Sequence, residues 1–271
     1  MPSIIPIDDP ADPRVEAYLD IRERDLVGRQ GMFVAEGQVV LAMLVASQRY
    51  RPLSLLIATK RIEALSGIIA PLPDDVPVYA ASQAVIDAIA GFPLHRGILA
   101  IGHIVEPPTP DTLLAGLPAR ANILFLSAIA NHDNMGGIFR NAAAFGVKAI
   151  LLDSACCDPL YRKAIRVSVG AALLVPFARV AADEDALALF DRHGLKPVAL
   201  SPSGALPLAR YVPGPRNVAL LGAEGPGLSA AIMARCTTVQ IPMAPGFDSL
   251  NVATTSGIVL HHLTNELRLT D

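Results

Sequence analysis

Short apolar runs along the chain alternate with stretches in which apolar residues recur at helical spacing. Before residue 106 the apolar runs predict strands over residues 32–35, 53–58, 76–79 and 98–104. The periodic stretches predict helices over residues 13–27, 37–47 and 83–90. This order of elements predicts a small α/β or α+β domain.

After residue 120 the alternation is more regular. The predicted strands cover residues 123–126, 149–152, 174–177, 198–200, 218–221 and 239–241. The predicted helices cover residues 135–145, 159–168, 183–193, 227–234 and 249–267. Strands and helices repeated in this order predict a parallel sheet with helices packed on it.

Several prolines follow Glu106 within a few residues, a composition typical of an extended, semi-rigid linker. We therefore predict a first domain over residues 1–105, a linker over 106–120 and a second domain over 121–271.

The composition favours a globular protein with an aliphatic core, because 52% of the 271 residues are apolar and none is Trp. No apolar run approaches the roughly 18 residues that cross a bilayer, and the acidic N-terminus is unlike a signal peptide, so we expect no membrane association. Three cysteines, two of them adjacent, do not make a disulfide framework. This favours the reducing cytoplasm.

The formal net charge of −3 is unlike that of a strongly basic nucleic-acid-binding domain. Any contact with nucleic acid must therefore use local basic clusters, although a solvated helix face is the more common explanation of each. The candidate clusters are Arg22/Arg24/Arg29, Arg49/Arg51, Lys60/Arg61 and Arg162/Lys163/Arg166.

Three polar segments interrupt the apolar sequence of the second domain, at residues 134–141, 221–229 and 241–253. Each places Gly or Pro beside polar side chains, where an apolar run gives way to a helical pattern. Because loops at the carboxyl ends of parallel strands meet at one edge of a sheet, we expect the three segments to form one site.

Each segment taken alone has several explanations. The Gly-rich loop around Glu224 is an ordinary turn or, less well matched, a dinucleotide loop of a nicotinamide-dependent dehydrogenase. Arg140 either pairs with a carboxylate such as Glu224 or binds an anion in a cleft. Asn134 and Ser249 stand where helix N-caps are expected.

Together the segments resemble the three motifs of the SpoU (TrmH-like) family of RNA ribose 2′-O-methyltransferases, in the SPOUT class. The first motif is present as Asn134, Gly136, Arg140, Ala142, Phe145 and Gly146; the second runs from Leu221 to Leu228; the third runs from Ile241 to Met243 and from Ser249 to Ala253. Residues 33–37 resemble, over a shorter stretch, a small RNA-substrate-binding domain.

The resemblance implies a C-terminal parallel sheet with a trefoil knot, a homodimer, and S-adenosyl-L-methionine as cofactor. It implies that Arg140 activates a ribose 2′-hydroxyl with help from an RNA phosphate and that Asn134 orients the substrate. Glu224 and Asn251 would support the site, and Ser249 would contact the substrate or hold its loop. The implied cofactor-binding residues are Leu200, Ser201, Gly222, Glu224, Gly225, Ile241, Met243, Leu250, Asn251 and Ala253.

The expected partner is RNA, either rRNA or tRNA. No metal site is expected, because His261 and His262 are adjacent on a predicted helix and do not face one another. The alternative function is a non-catalytic RNA-binding or ribosome assembly factor on the same fold.

Overall fold

A computed structural model describes residues 2–19, 21 and 31–269, with side chains as far as residue 265. The chain forms two compact units, of which the first comprises Met1–Pro107 with Leu160–Leu174 and the second Pro108–Pro159 with Val175–Asp271. The Arg22/Arg24/Arg29 cluster lies outside the described residues, as does the end of the predicted helix over 13–27. Its beginning, Pro13–Tyr18, forms a 3-10 helix.

The strands are β1 Ile4–Ile7, β2 Met32–Glu36, β3 Tyr50–Ala58, β4 Val78–Ala81, β5 Ile98–Ile104, β6 Ala121–Leu126, β7 Ala149–Leu152, β8 Phe177–Arg179, β9 Lys196–Leu200, β10 Leu206–Pro207, β11 Arg216–Leu221 and β12 Thr237–Gln240. The α-helices are α1 Gln38–Val45, α2 Ser66–Ile69, α3 Gln83–Ala90, α4 Pro110–Ala115, α5 His132–Ala144, α6 Arg162–Val167, α7 Ala171–Leu174, α8 Ala186–Arg192, α9 Ala230–Met233 and α10 Val252–Leu269.

The first unit contains a five-stranded sheet with the order β1-β4-β3-β5-β2. Strands β1, β4 and β3 run parallel, whereas β5 is antiparallel to both β3 and β2. Helix α3 has the bounds predicted from the sequence, since the Ser82 hydroxyl caps its start and left-handed Gly91, at φ 78°, ends it. This mixed sheet agrees with the α+β form of the expected domain.

The second unit contains a seven-stranded sheet with the order β10-β12-β9-β11-β6-β7-β8, in which every pairing is parallel. The predicted parallel α/β fold is therefore confirmed, while the trefoil knot stays a prediction. One face of the sheet packs an apolar core that includes Leu151, Leu187, Phe190 and Leu220. Helix α10 contacts the central strands β6 and β11 and lies against α5.

The prediction of an extended linker over 106–120 was wrong within residues 110–115, which form α4. The Thr109 side chain accepts a hydrogen bond from the Thr112 amide, and Pro110 occupies the first helical turn, where its missing N–H costs nothing. Leu114 is fully buried in the core of the second unit. The prolines at this point therefore start a helix.

Residues 160–174 differ from the predicted domain division, because they belong to the first unit. The predicted helix over 159–168 is present as α6, but the predicted strand over 174–177 was wrong at its start. Leu174 ends α7, and β8 begins only after Pro176. Proline has no N–H for the strand ladder, which explains the later start.

Among the described residues, no helix is long and apolar enough to cross a membrane. The same part of the chain holds no group of three or more His, Cys, Asp or Glu side chains placed to bind a metal ion.

Truncating Leu220 tests the core beneath the site. Leu220 lies on β11 and is 0% exposed, so Leu220→Ala should lower the free energy of unfolding by roughly 2–5 kcal/mol through lost burial and a residual cavity. Val212 is 82% exposed in the same unit, and Val212→Ala should change it by less than about 0.5 kcal/mol. Urea unfolding of both variants makes the comparison, and equal effects would contradict the assigned core.

Candidate active site

Three neighbouring parallel strands of the second unit, β12, β9 and β11, deliver their carboxyl ends to one cavity of about 600 Å³. Its wall combines apolar side chains with carboxylates, hydroxyls and backbone. The lining residues are Leu200, Ser201, Pro202, Leu221, Gly222, Ala223, Glu224, Gly225, Gly227, Val239, Ile241, Met243, Asp248, Ser249, Leu250, Asn251, Val252 and Thr255. The second and third motifs thus meet, as expected.

The loop after β11 turns tightly because its glycines allow it. The Gly227 amide donates to the Ala223 carbonyl at 3.1 Å, and Gly225 and Gly227 have positive φ angles of 87° and 67°. A Cβ on Gly222 would lie 2.3 Å from the Gly227 carbonyl carbon, so only glycine fits there. The turn holds Glu224 at the cavity wall.

Helix α5 carries the first motif, and its cap differs from the prediction. The Asn131 side chain accepts hydrogen bonds from the Asp133 and Asn134 amides at 2.7 and 3.4 Å, so Asn131 is the N-cap. The assignment of Asn134 as the cap was wrong. Asn134 lies inside the helix and is 7% exposed, which leaves its carboxamide for other partners.

The carboxamides of Asn134 and Asn251 and the carboxylate of Glu224 form one hydrogen-bond network. Asn134 Nδ2 donates to Glu224 Oε1 at 2.7 Å. Asn251 Nδ2 donates to Asn134 Oδ1 at 2.8 Å and to Glu224 Oε1 at 3.2 Å. These three residues, one from each motif, therefore join segments that are far apart in the chain.

Asn251 also begins α10. Its Oδ1 accepts from the amides of Ala253 and Thr254 at 2.9 and 3.2 Å, which makes Asn251 the helix cap. Ser249, the predicted cap, instead donates a 3.4 Å hydrogen bond to Asp248 and lines the cavity. The prediction of Ser249 as cap was wrong because the helix starts only after Asn251.

Close packing of α5 against α10 holds the network in place. A Cβ on Gly137 would lie 2.8 Å from the Ala253 Cβ, so the glycine allows the two helices to approach. Asn141 Nδ2 donates to the Ala253 carbonyl at 2.7 Å and to the buried Ser256 hydroxyl at 2.9 Å. Sequence reasoning missed Asn141, although a polar residue on the apolar side of α5 was a signal for it.

Arg140 is exposed on α5 and is not among the residues that line the cavity. It forms no hydrogen bond or ion pair with any residue that the structure describes, so the expected alternative of a pair with Glu224 was wrong. The guanidinium remains available to an anion from outside the chain.

Nine of the ten predicted cofactor-binding residues line the cavity, and the tenth is Ala253. The Ala253 carbonyl is instead engaged by Asn141 and by Ser256 at 2.7 Å. The prediction omitted Asp248 and Thr255, which also line the cavity and stand next to predicted residues in sequence or on the first turn of α10.

The adjacent cysteines lack the properties of nucleophiles. Burial raises the pKa of the Cys156 thiol to about 12 and that of the Cys157 thiol to about 11. Both therefore stay protonated at neutral pH, where a thiol is a poor nucleophile. Cys156 Sγ donates to the Leu126 carbonyl and accepts from the Ile129 amide, each at 3.3 Å, a structural role in the loop before α5.

Comparison with known proteins decides the family. Residues 121–261 match the model of the SpoU rRNA methylase family. The chain belongs to this family. A protein from Mycobacterium bovis described as an uncharacterized tRNA/rRNA methyltransferase is 39% identical over 265 residues, which is 94% of this chain and 90% of that protein. Membership of the SpoU family contradicts the alternative of a nicotinamide-dependent dehydrogenase.

Solved structures share the fold. An AdoMet-bound rRNA methyltransferase from Sinorhizobium meliloti superposes with a TM-score of 0.82 at 21% identity, over 97% of this chain and 98% of that one. A protein described as an RNA 2′-O ribose methyltransferase superposes with a TM-score of 0.75 at 23% identity, over 98% of this chain and 100% of that one. The similarity of this SpoU family member therefore includes both units.

Replacing Asn251 tests whether its carboxamide holds the site together. Asn251→Ala removes a helix cap and the donors to Asn134 and Glu224, and should lower the free energy of unfolding by about 1–2 kcal/mol. Ser249→Ala removes a single long hydrogen bond and should change it by less than about 0.5 kcal/mol. Thermal or urea unfolding measures both, and a larger loss for Ser249→Ala would be inconsistent with the assigned cap.

Proposed function

We propose that this chain transfers a methyl group from S-adenosyl-L-methionine to a ribose 2′-hydroxyl of rRNA or tRNA. In the overall reaction the ribose O–H bond and a sulfur–carbon bond break, and an O–CH₃ bond forms. The products are a 2′-O-methyl ribose, S-adenosylhomocysteine and a proton released to solvent. Family membership supports methyl transfer to RNA. The choice of the ribose 2′-hydroxyl as the methyl acceptor goes further and is part of the proposal.

The observation that carries the proposal is the network of Asn134, Glu224 and Asn251 at a cavity made by three adjacent strand ends. It holds polar groups from all three motifs in fixed positions. Such a site suits a reaction in which the protein aligns two reactants and manages one proton.

The chemistry of the cavity fits the cofactor. Leu200, Ile241 and Leu250 offer apolar surface for a purine ring, while the carboxylates of Glu224 and Asp248 line the same wall and suit a cationic ligand. S-adenosyl-L-methionine supplies an electrophilic methyl group on a sulfonium centre. The remaining predicted residues that line the cavity are Ser201, Gly222, Gly225, Met243 and Asn251, and they would contact the cofactor from the loops.

Arg140 would act on the RNA. An exposed guanidinium without a partner among the described residues can bind a phosphate through two parallel hydrogen bonds and favour loss of the nearby hydroxyl proton. Asn134 would orient the substrate through the network that fixes its carboxamide. Ser249, at the cavity wall, would contact the substrate or steady its loop.

Arg140 does not line the cavity of its own chain, so a second copy of the chain is part of the proposal. Exposed apolar side chains of the second unit, Phe247 and Ile258, offer surface for such a homodimer. Sedimentation of the purified protein at micromolar concentration tests this, and a monomer at all concentrations would contradict it. The proposal also retains a cytoplasmic location and the trefoil knot.

The direct test uses labelled S-adenosyl-L-methionine and total RNA from a host that lacks the gene. Label should enter rRNA or tRNA and map to 2′-O-methyl ribose, whereas label on a base would overturn the ribose assignment. Calorimetry with the cofactor, combined with this transfer assay, distinguishes an active methyltransferase from the alternative, a non-catalytic assembly factor. Cofactor binding without any transfer to RNA would favour that alternative.

Arg140 provides a sharper prediction. Arg140→Ala should lower kcat by at least about a hundredfold, as loss of one electrostatic contact to a reacting group does, while the Kd for the cofactor and the Tm stay unchanged. Arg140→Lys should recover only part of the rate, because lysine keeps the charge but not the fork. Lys148→Ala, an exposed cation outside the cavity, is the matched control. Unchanged kcat in Arg140→Ala would remove the residue from the mechanism.

A further inference from the structure

Two adjoining cavities of the first unit, of about 1090 and 830 Å³, share Val39 and Arg96 in their walls. The first lies along α1, and the second lies between the loop after α3 and the start of α6. Six cationic side chains line the pair, and we call them the basic surface: Arg49, Arg61, Arg96, Arg162, Lys163 and Arg166.

The charge of this surface contrasts with that of the whole chain. The chain has a formal net charge of −3, yet Glu36 is the only carboxylate among the residues that line the two cavities. Three of the basic clusters recognised in the sequence contribute, although they are far apart in the chain. Clustering of like charges costs free energy through mutual repulsion, so it indicates a site for an anionic partner.

Two of the six cations have structural roles. Arg49 Nη2 donates to the carbonyls of Leu173 and Leu174 at 2.8 and 2.5 Å. Arg162 pairs with Glu36 at 2.6 Å and lies 4.8 Å from the centre of the Phe92 ring. These two arginines fix residues 160–174 and the cavity wall.

One atom of the wall still lacks a partner. The Arg162 Nε donor is buried and has no acceptor in the part of the chain that the structure describes. A buried donor is normally satisfied, so an acceptor oxygen from a ligand would complete the second cavity.

Three further cations are available to that ligand. Arg61, Arg96 and Arg166 are exposed, and none forms a hydrogen bond or ion pair with another described residue. Between them the surface is apolar, with Val39 48% and Leu174 50% exposed. Phosphates beside the cations and bases or riboses over the apolar patch match the chemistry of a nucleic-acid strand.

We propose that the basic surface binds the sugar-phosphate backbone of the substrate RNA, remote in sequence from the methyl-transfer motifs. This inference rests on the proposed function, which makes RNA the substrate. It assigns substrate affinity to the first unit, which includes residues 160–174, and one phosphate contact each to Arg61, Arg96 and Arg166.

The test is equilibrium binding of a fluorescein-labelled RNA hairpin to the full chain, measured by anisotropy over a range of salt concentrations. In the triple variant Arg61→Gln/Arg96→Gln/Arg166→Gln, the magnitude of the slope of log K against log salt should fall by about 2. The Kd should rise at least about tenfold near 0.1 M salt. The triple Arg→Lys variant should restore most of the slope, because it keeps the three charges.

A second triple variant, Lys148→Gln/Lys196→Gln/Arg210→Gln, removes the same number of charges from exposed residues that line neither cavity. It should leave the slope unchanged, and the Tm of every variant should match that of the wild type. Equal loss of slope in both glutamine variants, or no loss in the first, overturns the basic surface. So does a wild type that does not bind the hairpin at low salt.

Cofactor calorimetry distinguishes this failure from failure of the proposed function. If the wild type binds S-adenosyl-L-methionine and methylates RNA, and the first triple variant does not raise the KM for RNA, the proposed function stands and the basic surface is overturned. If the wild type binds the hairpin through these arginines but never transfers a methyl group, the basic surface stands and the proposed function is overturned.

Discussion

The carboxamide of Asn251 has both of its ends engaged, and the geometry of the candidate site depends on that double engagement. Its oxygen accepts from the first amides of α10, so its nitrogen must point away from the helix. Both N–H groups then reach Asn134 and Glu224. A carboxamide has one acceptor end and one donor end, so the helix cap fixes which end the network receives. The cap of α10 and the network of the site therefore share one side chain.

The network needs two backbones to come close, and glycine makes this possible at two places. Gly137 lets α5 approach Ala253 on α10, and Gly222 lets the loop after β11 fold back on itself. An added methyl group at either position would meet atoms that have little room to move. The parallel sheet supplies the third constraint, because adjacent strands end at the same edge. Small residues and strand order thus place the polar groups together.

Local signals in the sequence predicted the helices and strands better than they predicted the contacts between them. Ser82 and Gly91 mark the ends of α3, and both bounds were predicted correctly. The same signals could not separate Asn131 from Asn134 as a helix cap, because both are asparagine, a residue type that caps helices well. The exposed position of Arg140 also could not be predicted from the sequence, since it depends on packing among segments far apart in the chain. The motifs predicted nine of the residues that line the cavity, but not the hydrogen bonds that join Asn134, Glu224 and Asn251.

Because of residues 160–174, neither folded unit is one continuous stretch of the chain. The chain passes from one unit to the other at residues 107/108, 159/160 and 174/175. A recombination event that exchanged the N-terminal part at a single junction would leave Arg162, Lys163 and Arg166 behind with the methylase motifs. A single junction therefore cannot exchange the whole first unit without also dividing it.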